Sequence, residues 1–122
     1  MSNAIELRVV LTQLSVQGTD MWHAQCVDYD IAAQGKSLDE ALDRLTYVLM
    51  HEASESLKET EKLFGDIPPP PSNVTEQWNS SAGMTLRIEA DSTQSPGHVS
   101  LAQFAHLVGQ ESSQVSIEAK CA

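Results

Sequence analysis

Ile5, Leu7, Val9 and Leu11 alternate with Glu6, Arg8, Val10 and Thr12. A period of two places the four aliphatic side chains on one face of an extended segment and predicts a first strand. Gln17-Gly-Thr-Asp20 supplies turn residues, and residues 21–28 predict a second strand, so the pair forms a β-hairpin. Residues 31–34 make a short third strand that Gly35 closes with a turn.

At Ser37 the period changes. Ser37-Leu-Asp-Glu40 is a capping box: the serine hydroxyl accepts from the N–H of Glu40 while the glutamate reaches back to the N–H of Ser37. Apolar residues then recur at Leu38, Ala41, Leu42, Leu45, Val48, Leu49, Ala53 and Leu57, a helical stripe expected to run to about Leu63 before Gly65 ends it. Asp39 and Glu40 sit at the favourable end of the helix dipole.

Four prolines, Pro68 to Pro71, cannot continue a helix and form a stiff extended spacer. Residues 73–83 are polar apart from Val74, Trp78 and Ala82, and are expected to be a loop or a short helix anchored by Trp78. Met84, Leu86, Ile88 and Ala90 alternate with polar residues and predict a strand, and residues 92–97 are turn-rich. Ser100-Leu-Ala-Gln103 has the form of a second capping box, before a stripe of Leu101, Phe104, Ala105 and Val108 and a C-cap at Gly109. Val115, Ile117 and Ala119 suggest a final edge strand. The order is β-β-β-α-β-α-β, an α+β sheet with its helices on one side. Residues 1–71 form one unit and residues 72–122 a strand-helix-strand extension of the same compact domain.

With 122 residues the chain is long enough for one core. Its charge narrows the function classes further: 17 acidic against 7 basic side chains give a net charge of −10. Between Ser37 and Pro71 the count is eight acids against Arg44, Lys58 and Lys62. Such a surface repels phosphate and attracts a basic partner, so nucleic-acid binding is disfavoured and Asp39, Asp43, Glu52, Glu55 and Glu59 become the candidate partner-binding residues. No apolar run approaches a membrane span, and no signal-like segment precedes the first strand, so a cytoplasmic location is expected. Cys26 and Cys121 read as free thiols.

Candidate chemistry is sparse. Asp28 and Asp30 would point to one side of an extended segment, a placement that suits paired carboxylates but equally suits local backbone acceptors at a strand end. His23 and Cys26 fall on opposite strand faces and cannot share a metal. His51-Glu52-x-x-Glu55 has the spacing of a zinc-binding helix motif with its second histidine replaced. His98 and His106 are expected to be structural or solvent-facing. No nucleophile elbow or phosphate-binding glycine loop is present, so the expectation is no catalytic residue, no cofactor and no metal. An enzyme using Asp28, Asp30 or His51 and a homo-oligomer assembled through edge strands stand as alternatives.

The stretch AQCVDYDIAAQGKSLDEALDRL resembles the HicB-like family in Ile31, Ala33, Gly35, Ser37, Leu38, Glu40, Ala41 and Leu42, and the downstream IPPPP with Trp78 is similar to orphan members of that family. The resemblance implies a fold like a partial double-stranded-RNA-binding domain, a curved sheet backed by a helix, and the role of an antitoxin that blocks a small basic RNA-cleaving toxin. Antitoxins of the family carry a C-terminal DNA-binding segment. Here residues 84–122 hold only Arg87 and Lys120 as basic residues, which fits an extension of the sheet or a dimerisation unit better than operator binding.

Overall fold

The computed structural model describes residues 4–81, 83–91 and 98–121. The predicted turn over residues 92–97 and the side chain of His98 lie outside the described residues. Five strands, β1 (Ile5–Val16), β2 (Thr19–Cys26), β3 (Ala32–Gly35), β4 (Thr85–Glu89) and β5 (Val115–Cys121), form one mixed sheet in the order β3-β2-β1-β5-β4. β1 and β5 run parallel and the other neighbours antiparallel. The helices are α1 (Leu38–Thr60), α2 (Ser72–Ser80) and α3 (His98–Leu107). The α+β class is as the periodicities predict, and the C-terminal strands belong to the same sheet as the N-terminal ones.

The β1–β2 turn is a two-residue loop, with Val16 paired to Thr19 and positive φ at both Gln17 and Gly18. That geometry matches the right-handed twist of the flanking strands. β2 stops at Cys26, short of the predicted Asp28, because the chain bends there: the N–H of Cys26 turns to the carbonyl of Ile31 and the N–H of Val27 to that of Arg8. Gly35 is the last residue of β3 rather than a turn residue. It is buried under the first turn of α1, where a Cβ would stand 2.5 Å from the backbone N of Ala41.

Ser37 caps α1 as predicted, accepting from the N–H of Glu40 at 3.1 Å, but the Glu40 carboxylate reaches the N–H of Lys36, not that of Ser37. α1 ends three residues earlier than the pattern suggests, with Glu61 in the left-handed region and its N–H on the Leu57 carbonyl. Ser100 is not an N-cap. It lies inside α3, buried, and its hydroxyl donates to the Asp43 carboxylate at 2.9 Å, tying α3 to α1. Gly109 does cap α3, and the N–H of Gln110 closes on the Ala105 carbonyl.

The main core lies between the sheet and the α1/α3 layer: Leu7, Val9, Leu11, Ala24, Cys26, Ile88, Ile117 and Ala119 meet Leu42, Leu45, Leu49, Leu101 and Phe104. Phe64 joins Tyr29 and Phe104, with ring centroids at 4.6 and 6.2 Å. Two expectations need correcting. β5 is not an edge strand, since it pairs with β1 on one side and β4 on the other. The helices are not all on one side either: Val74 and Trp78 of α2 form a second small core with Val10 and Val27, and Val10 faces away from the Leu7, Val9 and Leu11 side of β1. The proline run carries the chain round the sheet between these layers, held where the N–H of Asp30 donates to the Pro68 carbonyl.

Candidate functional site

The solvent side of α1 is built by its own period. Because the apolar stripe occupies one arc, residues four apart on the opposite arc form an inclined row. Asp39, Asp43, Tyr47, His51, Glu55 and Glu59 make such a row, and all six are exposed. At ~1.5 Å rise per residue the row extends about 30 Å along the helix. Four of the five predicted partner-binding acids therefore fall into one ridge. Glu52 does not: it sits half-buried on the flank of the apolar stripe, out of line with the others.

Tyr47, which charge counting misses, stands at the middle of the ridge. Of the six aromatic side chains it alone is exposed, at 54%, while the others are buried or half-buried. Asp43 keeps one oxygen engaged with Ser100, Lys58 approaches Glu55 at 4.0 Å, and Arg44 pairs with Glu40 at 3.0 Å. Exposed pairs of this kind contribute little and leave the field of the ridge negative.

The aspartates separate. Asp28 accepts from the Arg8 backbone N–H at 3.0 Å and from its guanidinium at 2.8 Å, a structural clamp between the bend and β1. Asp30 lies exposed on the other side of the bend. His51 belongs to the α1 layer, so Asp28, Asp30 and His51 do not converge. His106 is exposed on α3. Among the described residues no group of three or more His, Cys, Asp or Glu side chains is placed to hold a metal ion, and no helix is long and apolar enough to cross a membrane. Cys26 and Cys121 are free thiols, as expected. Burial pushes the Cys26 thiol above its ordinary pKa, and burial likewise raises Tyr29, helped by the neighbouring Asp28 charge.

On the outer face of the sheet Trp78 is 7% exposed, with the Lys120 ammonium 4.3 Å and the Arg8 guanidinium 5.7 Å from its ring centroid. Two cations over one indole, together with the Ser81 hydroxyl on the Cys121 carbonyl at 2.6 Å, pin α2 to β1 and β5. Beside this pin a cleft of about 380 Å³ opens between α2 and the strands. Thr12, Leu14, His23 and Gln25 form its floor, and Asp30, Pro71, Asn73, Val74 and Gln77 its wall. Gln34 Nε2 lies 3.4 Å from His23 Nδ1. No family model matches the chain, and neither a curated protein nor a solved structure matches it.

Proposed function

We propose that the protein is a non-catalytic binding module whose α1 ridge docks onto a basic protein partner, in the manner of a HicB-like antitoxin masking a basic RNA-cleaving toxin. The observation that carries the reading is the row of four carboxylates around an exposed tyrosine. Tyrosine is among the residues most enriched at the energetic anchors of protein interfaces. Acids on both sides of it steer a basic surface into register and raise the rate of encounter. A ridge about 30 Å long is also commensurate with a patch of about 800 Å² per partner, the size of a standard specific interface.

The HicB-like part of the proposal rests on the motif of residues 31–42 and on the sheet-and-helix arrangement that those residues adopt here. The experiment is co-purification of the tagged protein from its own cells, followed by identification of what is bound. Wild type is expected to retain a basic protein whose RNA cleavage it suppresses at equimolar ratio, and Glu55→Lys/Glu59→Lys is expected to lose both effects. Capture of nothing basic, or a partner that the double variant holds equally well, refutes the assignment. A homo-oligomer is the second reading, favoured by Leu14 and Val16, which are exposed on the distal part of the β1–β2 hairpin. Sedimentation of the isolated protein separates the two.

A further inference from the structure

The cleft between α2 and the outer sheet face plays no part in the ridge, and its polar lining is one carboxylate, three carboxamides, a hydroxyl and the His23 imidazole. Asp30 contributes a carboxylate that has no hydrogen-bond partner among the described residues. Gln25 donates its amide nitrogen to the carbonyls of Cys26 at 3.1 Å and Ile31 at 3.3 Å, so its own carbonyl oxygen is left to accept. Asn73 and Gln77, one turn apart on α2, add two more carboxamides, and Thr12 a hydroxyl. Leu14, Pro71 and Val74 supply apolar surface, and the lining holds no lysine or arginine.

We propose that this cleft is a binding site for a small organic cation, an ammonium or guanidinium carried on a short aliphatic stem. An anion would meet the Asp30 carboxylate with the His23 imidazole as the sole basic group of the lining, and His23 Nδ1 already lies 3.4 Å from the Gln34 amide, whereas a cation finds a carboxylate and several amide and hydroxyl oxygens to accept its N–H groups. Its stem packs on Leu14 and Val74. The volume sits near the lower end of ligand pockets, which suits a ligand of this size, and the net charge of −10 raises the local concentration of cations. Because floor and wall come from different elements, the ligand bridges β1 and β2 to α2. Binding therefore requires α2 to be docked and opposes its release from the small Val10, Val27, Val74 and Trp78 core.

Two-dimensional NMR titration with n-butylguanidinium tests the site, with n-butanol as a control for the stem alone. Saturable shifts centred on Thr12, His23, Gln25, Asn73 and Gln77, weakened at least fivefold by Asp30→Asn and absent with n-butanol, are the expected result. At ten times the dissociation constant, hydrogen exchange of the α2 amides should slow about tenfold. The proposal is overturned by shifts that never saturate, by shifts concentrated on the α1 acids, by an affinity indifferent to Asp30→Asn, or by α2 exchange that the ligand leaves unchanged. Asp30 and Gln77 are both exposed, so Gln77→Ala provides a second variant that keeps the fold and is expected to weaken binding.

Discussion

Gly35→Ala isolates a steric demand from a conformational one. Gly35 lies in β3 with an ordinary strand φ, so a side chain is excluded by space alone. A methyl carbon there would meet the Ala41 N at 2.5 Å, the Glu40 carbonyl carbon at 2.8 Å and the Ala41 Cα at 2.9 Å. All three are backbone atoms in the first turn of α1, and that turn is fixed from the other side by the Ser37 cap and by the Arg44 guanidinium on the Gln34 carbonyl at 3.1 Å. Neither β3 nor α1 can move without opening the Ala41, Leu42 and Leu45 contacts, so the cost belongs at the upper end of overpacking, about 3 kcal/mol. With a urea m-value of about 2 kcal/mol/M, the midpoint should fall by about 1.5 M. Gly18→Ala is the control. It has nothing within 4 Å but a φ of +79°, so only backbone strain of about 1 kcal/mol applies, a shift of about 0.5 M. Urea unfolding followed by far-UV circular dichroism measures both. A Gly35→Ala midpoint no lower than that of Gly18→Ala would show that the α1 start yields freely and that the close approach is not a constraint.

Other outcomes follow from the same contacts. Trp78→Ala should speed hydrogen exchange in α2 by about a hundredfold, the equivalent of about 3 kcal/mol of lost packing, and leave the α1 amides between Leu42 and Leu49 nearly unchanged. Asp28→Ala removes the acceptor of the Arg8 N–H and guanidinium and should cost about 1 to 2 kcal/mol, against less than about 0.5 kcal/mol for Asp30→Asn. Stability should decline in alkali. The folded Cys26 thiol has its pKa raised, so its contribution is complete below the unfolded value of about 8.5 and is lost as the pH rises through the folded value; Tyr29 adds a similar loss near pH 10. Urea titrations at a series of alkaline pH values should show a shallower decline for Cys26→Ala than for wild type.

The period-two runs at Ile5 to Leu11 and Met84 to Ala90, and the helical stripe after Ser37, place most of the sheet and the long helix, because burial on one face writes itself into the sequence. Neighbour relations leave no such trace. Val115, Ile117 and Ala119 alternate identically whether their strand lies at an edge or, as here, between two others. The side chosen by α2 is equally silent, since Val74 and Trp78 specify an apolar contact but not which face of the sheet receives it. Charge alone singles out Glu52, while the helical period sets it half-buried beside the stripe and out of line with the ridge. Tyr47 was legible in principle: counting in fours from Asp39 reaches it, and it interrupts a polar arc that no core contact explains. The cleft draws on positions from Thr12 to Gln77, and only the folded chain brings them together.

The proposed role makes α1 the surface that is gripped. Its most direct test is the dissociation constant of the captured basic partner for wild type, Tyr47→Ala and Asp39→Lys/Glu55→Lys, measured calorimetrically on variants whose unfolding midpoints match wild type. A loss of at least about thirtyfold for Tyr47→Ala, the size expected of an interface anchor, and a larger loss with a slower association rate for the charge reversal, is the predicted result. Affinities equal to wild type in both variants would contradict it and move the interface elsewhere on the molecule.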